Sequence, residues 1–358
     1  MSKYPKNIRD HILNHQGHWM GPRVQQLVGI KNDNKTTLYA FYDLEKSPSS
    51  FDIIPFLALA EDYRVKETKC NTIHVIIVPG SNHGFRSVSN PHNTDNWDLE
   101  NKKWRLRNLL PDCCWLLPSC KAVSVLETRK EAELIYKNAA HVFPEINYTI
   151  VTPIERYNWI NIFKRAIIKG VIDLPLKAPE MAKIHVKRWL DFVAPNKKIV
   201  TLNLRETIEK PRNSSIESWA AFYHLINNKE YQPIFVRDAE NNLSSLPLGL
   251  KNTIMFPEAN HVEYRSALYE LSYLNMFVSN GTAAMAWFNP NVNYITFKLL
   301  SKIPEYTSCS IEFFALQGFT VGEQPEFVKK NQKWIWNYED NLESLVNGFH
   351  SMKDIIDG

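Results

Sequence analysis

Cysteine is scarce and unpaired in number: among 358 residues only Cys70, Cys113, Cys114, Cys120 and Cys309 occur. An odd count excludes a fully disulfide-stapled scaffold. The first residues also lack the apolar core and small-residue cleavage site of a secretory signal, so a reducing, cytoplasmic setting is expected. Cys113, Cys114 and Cys120 cluster, but adjacent cysteines do not make the C-x-x-C knuckle that wraps zinc, and buried thiols are the simpler reading. No run reaches the roughly 18 apolar residues needed to span a bilayer. Glycine is thin, 12 in all. No G-x-G-x-x-G fingerprint assembles, which argues against a dinucleotide dehydrogenase, and no G-x-x-x-x-G-K-[ST] P-loop is present. Net charge is +4, from 42 basic and 38 acidic residues. A field so weak gives no case for a nucleic-acid partner.

What is present suits two ordinary α/β domains, since a chain this long exceeds a single core and its 44% hydrophobic residues can fill two. Up to about Gly29, basic residues (Lys3, Lys6, Arg9, Arg23) mix with Ile12, Leu13, Trp19, Met20 and Leu27 in a helix-compatible pattern. A solvated helix or a membrane-surface contact would look alike there. Strands are expected over Leu38–Tyr42 and Thr72–Val78 with a helix over Phe51–Lys66 between them, a βαβ unit on a parallel sheet. The polar stretch Ser81–Asn101 then reads as a long loop at the carboxyl end of a strand, where open α/β sheets keep their ligands. A strand over Ala122–Leu126 and a helix over Arg129–Ala140 follow. Helices over Trp159–Lys169 and Pro179–Phe192 mix apolar with basic residues, so peripheral contact with the inner face of a membrane is open for the first of them. The turn Ala194-Pro195-Asn196 suggests domains 1–195 and 196–358. Beyond it the alternation restarts: strands over Ile199–Leu204, Pro233–Val236, Thr253–Phe256, Met276–Val278 and Tyr294–Phe297, helices over Ser215–Ile226 and His261–Tyr273 and from Thr282, and an amphipathic Leu342–Ile356.

The most informative segment is N-M-F-V-S-N-G-T-A-A-M-A-W-F, Asn275–Phe288. An apolar strand ends at Val278, Ser279, Asn280, Gly281 and Thr282 make a tight turn, and a helix of small residues begins. Orphan N–H groups and the helix dipole would favour a phosphate there, though a βα turn capped by Thr282 explains the same residues. In I-V-T-L-N-L-R-E-T a strand delivers Arg205 just past its carboxyl end. A guanidinium there suits bidentate bonds to a diphosphate, or a surface ion pair with Glu206 or Glu209. Asn213 and Ser214, at the start of the next helix, and Glu258 and Asn260, after a later strand, are candidates for the nucleoside or sugar.

The half from Ile199 to about Phe297 resembles the nucleotide-sugar domain of GT-B glycosyltransferases, in particular the fucosyltransferase-like and heptosyltransferase-like branches. Arg205 matches their arginine after the first strand of that domain, and Ser279-Asn280-Gly281-Thr282 matches their diphosphate-holding turn. H-V-E-Y-R-S-A-L-Y-E-L-S-Y-L resembles the preceding helix. Asn203-Leu204-Arg205-Glu206 departs from the His-x-Arg-Arg motif of the fucosyltransferase-like enzymes, which leaves the donor sugar open. The resemblance implies an α/β fold of two Rossmann-like domains facing a central cleft, with the last helix crossing back onto the first domain. It also implies an inverting transferase moving a hexosyl or deoxyhexosyl group from a nucleotide-sugar donor to a glycan or other hydroxyl acceptor. Asp95-Asn96-Trp97-Asp98 has the wrong spacing for the D-x-D of metal-dependent GT-A enzymes, so no metal and no other cofactor is expected.

The first domain should then bind the acceptor and supply a base. His83, in the loop V-P-G-S-N-H-G-F-R, could take a proton from a hydroxyl or be a solvated loop histidine. Asp43 and Glu127, at strand ends of the same sheet edge, are the other candidate bases, and Asn82 and Arg86 are candidate acceptor contacts. A sugar-nucleotide epimerase of the same fold, or a non-catalytic nucleotide- or carbohydrate-binding protein, would fit the same residues.

Overall fold

The computed structural model describes residues 35–87, 97–154, 175–207, 210–242, 244–303 and 309–358. The helices expected before Gly29 and over Trp159–Lys169 lie outside the described residues. The chain divides into two compact units, Met1–Tyr157 and Asn158–Gly358.

The first unit runs β1 (Thr37–Asp43), α1 (Ile53–Glu67), β2 (Thr72–Val78), α2 (Leu99–Asn108), α3 (Leu110–Trp115), β3 (Cys120–Val125), α4 (Arg129–Asn138) and β4 (Val142–Phe143). Its sheet has the order β3-β2-β1-β4, all parallel. The two central strands, TLYAFYD and TIHVIIV, are buried on both faces beyond their first residue, which is why they read as almost unbroken apolar runs. All five cysteines are buried free thiols, and burial pushes the Cys120 thiol up to about 12.

The second unit runs α5 (Glu180–Val193), β5 (Lys198–Asn203), α6 (Ile216–Ile226), β6 (Tyr231–Val236), α7 (Val262–Leu271), β7 (Leu274–Val278), α8 (Ala283–Trp287), β8 (Tyr294–Phe297), α9 (Ile311–Leu316), β9 (Gln332–Trp334) and α10 (Leu342–Asp357). The parallel order is β6-β5-β7-β8-β9. On one face Trp219 and Phe222 of α6 and Leu345, Phe349 and Met352 of α10 form a core with Val200, Leu202 and Met276. On the other, Ala182, Val186 and Leu190 of α5 and Ala267 and Leu268 of α7 pack with Ile199 and Ile234.

Three expectations change. The division falls after Tyr157 and not at Pro195, because the small apolar stripe of α5 is buried on the second sheet. The last helix, expected to cross back, closes the core of its own unit: at Gly348 an added Cβ would lie 2.5 Å from the Phe297 ring. The strand expected over Thr253–Phe256 shrinks to a bridge between Met255 and Phe235, since Pro257 has no N–H to extend the ladder.

His74, in the centre of β2, hydrogen-bonds Ser124 Oγ at 2.9 Å, and burial lowers its pKa from 6.5 to about 4. The unfolded chain therefore binds the extra proton between those values, and stability falls as pH drops through that window. Between pH 7 and pH 5 the loss from this one group should be about 2 kcal/mol. Urea unfolding at the two pH values would measure it. His74→Phe should remove most of the pH-dependent difference, and an undiminished difference in that variant would assign the effect elsewhere.

Candidate functional site

The strand order of the second sheet reverses between β5 and β7, which makes that edge its topological switch point. Asn203 lies opposite Phe277. Arg205 and Ser279 are therefore each two residues past a paired position, on strands about 4.8 Å apart. The two elements singled out in the sequence are neighbours at one edge.

Arg205 is buried and its main chain is pinned: its N–H donates to Ser214 Oγ at 2.9 Å, and the Ser214 N–H donates to its carbonyl at 3.0 Å. Asn213 braces the same loop, accepting from the Thr207 N–H at 2.9 Å and donating to the Thr207 carbonyl at 2.7 Å. Asn213 and Ser214 thus shape the loop that carries Arg205. Glu206, one of the ion-pair partners considered for Arg205, is gripped by both arms of Arg237, at 2.7 and 2.8 Å. Asp238 accepts from the Glu206 N–H at 2.7 Å, and burial raises its pKa against the opposing pull of Arg205 and Arg265.

Arg265, from α7, is 1% exposed. Its guanidinium donates to the Tyr269 hydroxyl at 2.8 Å, the Arg237 carbonyl at 3.0 Å and the Ala259 carbonyl at 3.1 Å. The Tyr269 hydroxyl donates to Asn203 Oδ1 at 2.7 Å and also engages Thr282. Asn203 continues the chain to Thr201 at 2.9 Å, and Thr201 to Asn275 at 2.6 Å. One buried network therefore joins the ends of β5 and β6, the loop before α7 and the turn after β7.

In that turn Ser279, Asn280 and Thr282 are buried and Gly281 is exposed. Asn280 Oδ1 accepts from Thr282 Oγ1 at 2.9 Å and from the Ala283 N–H at 3.0 Å. The backbone donor fixes the amide's orientation, and its buried Nδ2 has no partner among the described residues. Two expectations are corrected. Asn280, and not Thr282, satisfies the helix start. The helix itself is only 5 residues long, too short to sum a useful macrodipole. Of the other donor-site candidates, Glu258 is exposed and 3.3 Å from His261, while Asn260 is half-buried with an Oδ1 that finds no partner among the described residues.

In the first unit Asp43 is corrected as a candidate base. It accepts both arms of Arg129 at 2.8 and 2.9 Å, the Tyr148 hydroxyl at 3.0 Å and the Glu45 N–H at 3.0 Å. A carboxylate so engaged and only 4% exposed is a brace, not a proton acceptor. Arg129 also donates to the carbonyls of Pro79 and Ile150, tying down the loops at that edge. His83 is exposed at the tip of a two-residue turn, with φ 51 there and 89 at Gly84. Gly80 closes its base because an added Cβ would meet the Phe85 and Leu44 backbones at 2.5 and 2.6 Å. Asn82 lies in that turn, bonded through its main chain to Phe85. Arg86 donates to the Lys46 carbonyl at 3.3 Å, and Glu127 is exposed just before the capping box of α4. Among the described residues there is no group of three metal-ligating side chains and no helix long and apolar enough to cross a membrane.

No protein-family model matches the chain, and no curated protein matches it in sequence. Its fold does have counterparts. A family 9 glycosyl transferase from Veillonella parvula aligns with a TM-score of 0.52 at 8% identity, over 92% of this chain and 99% of its own. The ADP-heptose LPS heptosyltransferase II of E. coli aligns with a TM-score of 0.50 at 10% identity, over 89% and 98%. The chain has the α/β fold of the GT-B glycosyltransferases.

Sequence reading missed Arg237, Asp238 and Arg265. Only the placement of Arg237-Asp238 directly after a buried strand could have drawn attention to the first two. For Arg265 we expect Met to destabilise the protein by about 3 kcal/mol or more in urea unfolding, because two carbonyls and a hydroxyl lose their donor. Lys should recover only part of that, lacking the planar fork. A loss below about 1 kcal/mol would remove Arg265 as the organiser of this edge.

Proposed function

We propose that this chain is a glycosyltransferase that moves a sugar from a nucleotide-diphosphate donor to a glycan or other hydroxyl acceptor, inverting the anomeric carbon and working without a metal ion. One observation carries the reading: Arg205 and the Ser279–Thr282 turn stand side by side at the switch point of a parallel sheet. Their surroundings hold three arginines, Arg205, Arg237 and Arg265, against the carboxylates Glu206 and Asp238. The GT-B fold supports it.

In this reading the acceptor oxygen bonds to the anomeric carbon as the bond to the diphosphate breaks, and the nucleoside diphosphate leaves with the electron pair. Arg205 and the donors of the turn stabilise the charge gathering on that diphosphate, where a fixed contact gains most. His83, exposed on its turn, is our assignment for the group that takes the hydroxyl proton. Asn260 and Glu258 remain our candidates for the sugar or ribose, and Asn82 and Arg86 for the acceptor.

A thermal-shift panel of ADP, GDP, UDP and CDP should show stabilisation by at least one of them. With the sugar donor it identifies, Arg205→Ala should lower turnover on the order of 10² to 10³, and Lys at that position should restore only part. Gly281→Val should weaken binding of the nucleotide itself by narrowing the backbone approach. Binding and turnover left intact in Arg205→Ala would overturn the reading.

A further inference from the structure

A second concavity opens at the same sheet edge, two strands from β5 at the end of β8. It holds about 150 Å³, and its wall carries Arg212, Lys298 and Lys302 from the loops after β5 and β8, with Tyr338 and Glu339 from the segment before α10. Three cations in one small hollow repel one another unless something anionic joins them.

The site is built, not a chance meeting of surface lysines. Lys298 is held at φ 52, a left-handed conformation uncommon for a residue with a side chain and concentrated at functional sites. Its N–H donates to Asn337 Oδ1 at 2.6 Å, and its ammonium donates to the Asn213 carbonyl at 2.7 Å and to Asp340 Oδ1 at 3.1 Å. Asp340 is 2% exposed and is itself fixed by the Ser215 N–H at 2.8 Å and the Trp219 indole at 2.7 Å. Lys302 is 70% exposed, lies 3.9 Å from Glu339 and stands 5.2 Å from the Tyr338 ring centre, a loose pairing that costs little to rearrange. Counting Asp340, the cations outnumber the carboxylates three to two.

We infer that this cavity is a phosphate subsite, separate from the diphosphate contact at Arg205. Two strand spacings, about 10 Å, keep it from serving the same diphosphate. That the phosphate is carried by the acceptor rests on the glycosyltransferase reading; that the cavity binds phosphate does not.

The test is calorimetric titration of inorganic phosphate, and in a second arm glycerol 3-phosphate, into the full chain. The proteins compared are the wild type, Arg212→Ala/Lys302→Ala, Lys302→Glu and Arg205→Ala. The double variant should bind either probe at least about tenfold more weakly, and Lys302→Glu, which alters only an exposed side chain, should weaken it in the same direction without a change in melting temperature. Arg205→Ala should bind as the wild type does. Binding of both probes places the recognition in the phosphate group, and binding of the ester alone places it in a phosphate borne on a larger ligand. Undiminished affinity in the two cavity variants, a loss confined to Arg205→Ala, or no binding of either probe overturns the inference. A wild type that binds phosphate here but no nucleoside diphosphate would sink the transferase reading and leave the subsite standing.

Discussion

The guanidinium of Arg265 is the constraint on which the carboxyl edge of the second sheet depends. Its hydrogen-bond partners are two carbonyls and a hydroxyl, none of them charged. A cation withdrawn from water this completely costs several kcal/mol unless its surroundings return them. Here the return is positional: Ala259, Arg237 and Tyr269 belong to three separate stretches of chain, and through Tyr269 the bond reaches Asn203 on the central strand. The charge that remains is not cancelled locally, because Glu206 is already taken by Arg237 and burial holds Asp238 towards its neutral form. The edge is rigid and electropositive for the same reason.

The first unit solves the equivalent problem in the opposite way. Asp43 closes on Arg129 and Tyr148, and Arg129 spends its remaining donors on carbonyls of the adjacent loops. Every charge at that edge that is well buried has an opposite partner in contact. What is left facing solvent is His83 on a stiff turn whose closure requires Gly80. The two sheets thus present different chemistry at corresponding ends, a fixed excess of positive charge on one and a single exposed imidazole on the other.

The strands were legible in the sequence because buried parallel strands are nearly continuous apolar runs, and the α/β alternation followed from their spacing. Arg205 and the Ser279–Thr282 turn were legible because each directly follows such a run. The rest lay in contacts between residues far apart in the chain. Asp43 looks like a carboxylate at the end of a strand until Arg129, 86 residues on, reaches it. Arg265 reads as one more polar residue on an amphipathic helix, and nothing local says that its side chain is buried. The boundary was misplaced for a similar reason: the stripe Ala182, Val186, Leu190 shows that α5 is buried on one side, and not which sheet it meets.

The shortness of α8 changes what kind of anion site this edge can be. A long helix offers an approaching phosphate a field that acts whatever its side chains are. Five residues cannot. The positive potential at the turn must then come from arginines, and side chains hold charge in place only if something orients them. That role falls to the loop bonds of Ser214 and Asn213 around Arg205 and to the network beneath Arg265. Asn280 contributes differently. Its oxygen is committed to the Ala283 N–H, so its buried amide nitrogen is left as a donor that no described residue satisfies. An unmet donor beside oriented cations is a cost in the empty protein that an oxyanion removes, which makes the turn specific for negative charge without help from the helix behind it.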